Sequence, residues 1–276
     1  MHKLDFLIIG AQKSGTQSLL RYLESHAQYF YLPNKELHFW NKKDAYRGGE
    51  GLSSYFENFK SAAPHQLIGE KSPSYLPSVE APARIVQHFP AIKLIAILRD
   101  PRERAYSGYW HGRRVGAIAS NVSFGESIRN YEKNKGIAYG DVVSHGFYAE
   151  QLERYLDVFP MAQMHVMDFK STINNPVHEL GEMIKFLKGC DPKSLSDISL
   201  EFPKRNVARE SRFPKLSERI HHSTLLSYNL KSRILRKNLV DMVLPPMEES
   251  DQEFLTEIYS HEKAKLEKLF SRKFTW

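Results

Sequence analysis

The stretch that decides the fold is DFLIIGAQKSGTQSLL, Asp5 to Leu20. Phe6, Leu7, Ile8 and Ile9 form a short apolar run, as expected of a strand buried on both faces. Gly10 opens a turn of small residues, and Leu19, Leu20 and Leu23 then recur at helical spacing. Strand, glycine-bearing turn and helix in that order make an anion cradle. The N–H groups of the turn and the free N–H groups of the helix start converge on one negative group.

Working outward from this stretch, the spacing from Gly10 to Gly15-Thr16 resembles the nucleotide-binding loop of P-loop NTPases, with one difference. In that motif a lysine follows the second glycine; here Thr16 does, and the lysine stands inside the loop as Lys13. The loop announces a phosphate-like ligand without announcing an ATPase. The 276 residues, 41% hydrophobic and 26% charged, describe a globular chain with an ample core. A formal net charge of +7 favours anionic ligands. Neither a basic arm, nor zinc-ligand spacing, nor an RNA-binding signature is present, so nucleic acid is a lesser alternative. Cys190 is the single cysteine, which excludes an internal disulfide and suits a reducing compartment. The first strand begins within a few residues of Met1 and no apolar run approaches a membrane span. These features predict a cytoplasmic protein with no signal peptide and no membrane segment.

The rest of the chain alternates strands with helices. Strands are predicted at Tyr29–Leu32, His65–Gly69, Ile92–Leu98 and Met164–Phe169. Helices are predicted to open at Ala81-Pro82, at Pro101 behind an Asp100 N-cap, at Tyr148 and at Pro176. The pattern predicts one α/β domain over residues 1–276, with a mostly parallel central sheet flanked by helices and P-loop-NTPase-like in its first loop. Glu70, Lys71 and Ser72 are placed just past a strand end, where such sheets bind ligands. Residues 110–145 read as a long irregular insertion shaping an acceptor pocket. Residues 202–216 read as a basic loop closing over an anionic ligand, and residues 251–270 as one closing helix. The segment NKELHFW, residues 34–40, sets Glu36 and His38 two apart beside Phe39 and Trp40. Read alone, it is a charged loop with an aromatic anchor.

Three segments together resemble one family, the sulfotransferases that use 3'-phosphoadenosine 5'-phosphosulfate (PAPS). GAQKSGTQSLL, residues 10–20, is similar to the family's 5'-phosphosulfate loop. LRDPRERAYSGY, residues 98–109, is similar to its 3'-phosphate-binding strand and helix. NKELHFW resembles the segment with the catalytic glutamate in the heparan-sulfate branch. EKSPSY at 70–75 and GFYAEQLERYLDVFP at 146–160 are further matches, and NVARESR at 206–212 a weaker one.

The resemblance implies a two-ended donor site. Gln12, Lys13, Ser14, Gly15, Thr16, Gln17 and Ser18 would hold the 5'-phosphosulfate, and Arg99 and Ser107 the 3'-phosphate. Arg209 and Arg212 would belong to the region that closes over the nucleotide. Sulfuryl transfer should run in-line with charge building on the leaving oxygen, as in phosphoryl transfer. Lys13 would neutralise that charge. Glu36 is the implied general base, with its basicity expected to rise through partial burial beside Phe39 and Trp40. His38 would orient Glu36, contact the acceptor or act as the base itself, and Lys71 would approach the sulfonate or acceptor. No metal is required. The activity implied is sulfation of a hydroxyl on a saccharide or small metabolite, releasing adenosine 3',5'-bisphosphate. The cytoplasmic reading favours a bacterial enzyme. Two alternatives stay open: a P-loop-type small-molecule kinase, and a binding protein of this fold without catalysis.

Overall fold

The apolar run near the start of the chain becomes β1, Phe6–Gly10, and all five of its residues are buried. The computed structural model describes residues 3–135, 140–190, 198–203 and 209–276. β2 is Phe30–Tyr31, β3 Leu67–Lys71, β4 Lys93–Leu98 and β5 Met164–Asp168. They form one sheet in the order β2-β3-β1-β4-β5, with every pairing parallel. β1 lies in the middle, bonded to β3 on one side and β4 on the other. All five carboxyl ends therefore face the same way, and that is the edge at which open α/β sheets bind ligands.

Continuous apolar runs give two faces because side chains alternate along a strand. Leu7 and Ile9 enter one layer with Leu94, Ala96 and Leu98. Phe6 and Ile8 enter the other with Ile95 and Ile97. Helices Ala81–His88 and Tyr148–Leu156 cover the first layer through Ala81, Ile85, Tyr148, Leu152 and Tyr155. Helices Thr16–Glu24 and Pro176–Lys188 cover the second through Leu19, Leu20, Leu23, Leu180, Met183 and Ile184. A parallel sheet covered on both sides is the predicted class.

The chain divides into two compact units. The first comprises Met1–Arg99, Tyr148–Lys204 and Lys263–Trp276 and holds this sheet. The second comprises Asp100–Phe147 and Arg205–Glu262. In the second, Asp100 caps the helix Pro101–Val115 by accepting from the Arg102 N–H, with Pro101 at the first helical position as predicted. Its core gathers Ala105, Tyr109, Phe124, Ile128, Leu255 and Tyr259. Among the described residues, no helix is long and apolar enough to cross a membrane.

Three expectations about this part of the chain change. The segment 202–216 is not all loop. Arg209–Ser211 is a strand, β6, antiparallel to β7 at Leu239–Asp241, and Pro214 opens the helix Pro214–His222; residues 204–208 lie outside the described residues. The insertion at 110–145, expected to be irregular with weak helical stretches, has them as the short helices Phe124–Arg129 and Tyr131–Asn134, and differs in that the Pro101 helix runs on into it to Val115; residues 136–139 lie outside the described ones. The closing helix is two, Glu249–Ile258 and Glu262–Phe270. Tyr259 ends the first by leaving helical ψ, with its phenol donating to the Val143 carbonyl at 2.6 Å and its own carbonyl turned to the Glu262 N–H. Nothing in the apolar spacing marks that break.

One glycine in the sheet is there for space. Gly69 of β3 sits opposite Phe6 of β1, and a Cβ on it would come within 2.2 Å of the Phe6 ring. Gly69→Ala should destabilise the protein by about 1–3 kcal/mol through overpacking. The double variant Gly69→Ala/Phe6→Leu should recover part of that loss, as read from urea midpoints at unchanged slope.

Candidate active site

The loop between β1 and the helix Thr16–Glu24 is built by backbone conformation. Lys13 adopts φ 70° and Gly15 φ 93°, both in the left-handed region. At Gly15 only glycine serves, because the Phe169 ring packs on it and a Cβ would lie 2.5 Å from Cε2. At Lys13 the chain accepts the cost of a non-glycine residue in that region, a feature that concentrates at functional sites. No side chain caps the helix that follows, so its first N–H groups point into the turn. Ser14 is fully buried, and its hydroxyl has no hydrogen-bond partner among the described residues. An anion in the loop would supply the missing acceptors for both. Gln12, Lys13 and Gly15 are half-buried here, Thr16 and Ser18 buried, and Gln17 exposed.

The Gln17 side chain leads to the second cluster. Lys71 Nζ donates to Gln17 Oε1 at 3.0 Å and to Glu36 Oε1 at 2.5 Å. His38 Nε2 lies 3.3 Å from the other Glu36 oxygen, and its Nδ1 lies 2.7 Å from Ser74 Oγ. The tautomer with its proton on Nε2 serves both contacts, donating to Glu36 and accepting from Ser74. Three of the four expected catalytic residues, Glu36, His38 and Lys71, thus touch one another beside the donor loop that carries the fourth, Lys13. Lys71 is only 3% exposed, because β3 runs two residues further than expected, through Glu70 and Lys71.

The electrostatics of Glu36 correct one expectation. Burial alone raises its carboxyl, but the His38 hydrogen bond and the charge and hydrogen bond of Lys71 outweigh that and hold it at about 2. Phe39 and Trp40, expected to raise it, are buried in the first layer of the core instead.

Arg99 follows the end of β4 and lies over the Phe169 ring, its Cζ 5.3 Å from the centroid. That ring also rests on Gly15. Phe169 thus lies against both the loop and the Arg99 guanidinium. The Arg99 carbonyl is fixed by the Tyr148 hydroxyl at 3.0 Å. Ser107, Arg209 and Arg212 belong to the second unit. Ser107 is half-buried on the helix Pro101–Val115, Arg209 pairs with Asp241 of β7 at 2.9 Å, and Arg212 is exposed.

Among known protein families, the model for the sulfotransferase domain matches residues 3–269. The chain belongs to the sulfotransferase family. It is 34% identical over 203 residues to the bifunctional heparan sulfate N-deacetylase/N-sulfotransferase of Drosophila melanogaster, covering 66% of this chain and 19% of that protein. It is 32% identical over 208 residues to human heparan sulfate glucosamine 3-O-sulfotransferase 5, covering 71% of this chain and 56% of that one. The chain thus spans about half or less of the length of these relatives. Among solved structures it is similar to the sulfotransferase from Alicyclobacillus acidocaldarius, with a TM-score of 0.72, 25% identity, and 99% and 98% of the two chains covered.

The structure also shows what the sequence reading left out: what Glu70, Ser72 and Tyr75 are bonded to, and Tyr55 and Asp168 altogether. Tyr55, Glu70, Ser72 and Tyr75 lie fully or almost fully buried beneath the segment that carries Glu36 and His38. EKSPSY drew notice as a motif, but the tie from Glu70 back to residues 37–40 has no signature in the sequence. Asp168 is the other such residue. It closes β5, where a kinase would look for a metal-binding aspartate. Its carboxylate is instead filled by the Ser171 N–H at 3.0 Å and the Thr275 N–H at 2.6 Å.

Burial raises the Glu36 carboxyl, while the His38 hydrogen bond and then the charge and hydrogen bond of Lys71 oppose its protonation. In Lys71→Met the Glu36 carboxyl should therefore move up from about 2 toward the ordinary value of about 4.3. A carboxyl 13C titration of the ligand-free protein measures this, and an unmoved midpoint would assign the depression to His38 alone.

Proposed function

We propose that this sulfotransferase moves a sulfuryl group from PAPS to a hydroxyl of a saccharide or small metabolite, with Glu36 as general base. One observation carries the reading: Lys71 bonds at once to Gln17 of the anion loop and to Glu36, so a carboxylate stands directly beside the cradle. PAPS, when bound, supplies the sulfuryl group and departs as adenosine 3',5'-bisphosphate. A saccharide acceptor is favoured by the heparan sulfate relatives. We read the two units as one sulfotransferase domain, since the family match runs through both. We also propose a cytoplasmic location, on the ground of the single cysteine.

The residues divide the work as follows. The turn N–H groups, the uncapped helix start and the Ser14 hydroxyl hold the 5' end. Arg99, beside the loop across Phe169, takes the 3'-phosphate with paired guanidinium donors. Lys13 neutralises charge that develops on the leaving oxygen. Glu36 accepts the proton of the acceptor hydroxyl, and His38 holds the carboxylate by its second oxygen. A carboxyl at about 2 is a weak base. Lys71 resolves this, because a new anion at the loop draws the ammonium toward itself and restores basicity to Glu36. Base strength then rises only when the donor site is filled.

A kinase reading is disfavoured by Lys13 standing inside the loop and by the occupied Asp168 carboxylate. Thermal-shift measurements test the choice. Adenosine 3',5'-bisphosphate without magnesium should stabilise the protein, and ATP with magnesium should not; the reverse pattern would sink the proposal. Glu36→Gln should lower turnover roughly 100-fold or more with little change in adenosine 3',5'-bisphosphate affinity. Arg99→Ala should weaken that affinity by roughly tenfold or more, read by calorimetry, while leaving affinity for the 5'-monophosphate nearly unchanged.

A further inference from the structure

We infer that Glu70 is a positioning residue: through a shell of three buried hydroxyls it sets the backbone of residues 37–39, and thereby the placement of Glu36 and His38. The inference rests on the proposed roles of those two residues. Glu70 is wholly buried and touches neither of them by hydrogen bond. Its Oε1 accepts from Ser72 Oγ and from the Tyr75 phenol, both at 2.6 Å, and its Oε2 accepts from the Tyr55 phenol at 2.6 Å.

Each hydroxyl turns its other side to the segment that carries the base. Ser72 Oγ accepts from the Leu37 and His38 N–H groups, each at 3.1 Å. The Tyr75 oxygen accepts from the Phe39 N–H at 2.9 Å, and the Tyr55 oxygen from Trp40 Nε1 at 3.3 Å. Three consecutive backbone N–H groups and one indole are thus held by hydroxyls whose protons point at a single carboxyl group.

The polarity of this arrangement is not free. A hydroxyl has one proton and two lone pairs. Ser72 Oγ spends both lone pairs on Leu37 and His38, so its proton must go to Glu70. Burial and the nearby Glu70 charge push both phenols well above their ordinary range, which keeps them protonated donors. A carboxylate accepts all three protons without offering one back. An amide could keep its oxygen at the Oε1 place and so hold Ser72 and Tyr75 as before; an apolar side chain removes all three acceptors at once, and each hydroxyl is then free to turn its proton elsewhere and leave the segment.

The arrangement also has an evident task. His38 stands at φ 51°, in the left-handed region that side chains other than glycine avoid. Two N–H groups bound at Leu37 and His38 hold the chain in that conformation, which brings His38 Nε2 to Glu36. Without them the backbone would relax, and Glu36 and His38 would part. A displacement on the order of 1 Å at such a group costs roughly 100-fold in rate.

The test compares Glu70→Leu, which removes the acceptor of all three hydroxyls, with the parent by hydrogen exchange on the ligand-free protein and by steady-state kinetics. The Leu37, His38 and Phe39 amides should exchange at least tenfold faster, while those of β1 and β4 keep their protection. Turnover should fall about 10- to 100-fold with the adenosine 3',5'-bisphosphate affinity unchanged. A role in stability alone would instead raise exchange in the sheet as well and leave turnover intact, and that result overturns the inference. Should Glu70→Leu not fold, Ser72→Ala is measured in the same way. It removes only the acceptor of Leu37 and His38, and unchanged exchange at those two amides would be equally fatal. Glu36→Gln keeps the two proposals apart. If its turnover matches the parent's while Glu70→Leu still frees the three amides, the base assignment fails and the positioning of the segment stands.

Discussion

A lysine ammonium that is almost fully removed from water must be neutralised where it stands, and at the end of β3 this requirement organises the site. Lys71 is nearly buried at the carboxyl edge of a parallel sheet, and an unpaired charge there would be costly. Glu36 supplies the opposite charge from a separate loop, and Gln17 supplies a dipole from the anion loop. One buried cation thereby brings together the helix start behind the anion loop and a carboxylate from a separate loop. The same pairing, together with the His38 hydrogen bond, keeps Glu36 ionised.

The sheet explains why these groups meet. A parallel sheet covered by helices on both faces has no room for polar side chains along its strands, so chemistry collects where the strands end. The loop after β1, Lys71 and the EKSPSY turn at β3, Arg99 after β4, and Asp168 and Phe169 at β5 all lie along this one edge. Phe169 deserves its place by touching both Gly15 and Arg99, which links the shape of the loop to the position of the guanidinium. Asp168 serves the fold alone, tying the helix that carries Phe169 to the C-terminal Thr275.

Two conformations in this edge run against ordinary backbone preference, Lys13 and His38, and both belong to residues with a proposed chemical role. Their stability comes from neighbours. At the loop, the adjacent Gly15 and the Phe169 ring fix the turn. At His38, the hydroxyl of Ser72 binds two successive N–H groups, and Glu70 orients that hydroxyl from the core. A loop that reads as charged and irregular is therefore anchored to one of the most buried carboxyl groups in the molecule.

The sequence by itself determined the class of fold and the location of the donor loop. Apolar runs such as Phe6–Ile9 and Leu94–Leu98 report burial on both faces through composition alone, and glycine and small residues mark a turn because no other residues permit it. The Asp100-Pro101 cap and the sulfotransferase resemblance were legible for the same local reason. Tertiary structure alone decided what each charge meets. Glu36 and Lys71 are thirty-five positions apart, as are Tyr75 and the segment it holds to within one position, and no periodicity records such pairings. It also reversed the expected effect on Glu36, because a carboxyl responds to the cation beside it in space and not to the aromatic residues beside it in the chain.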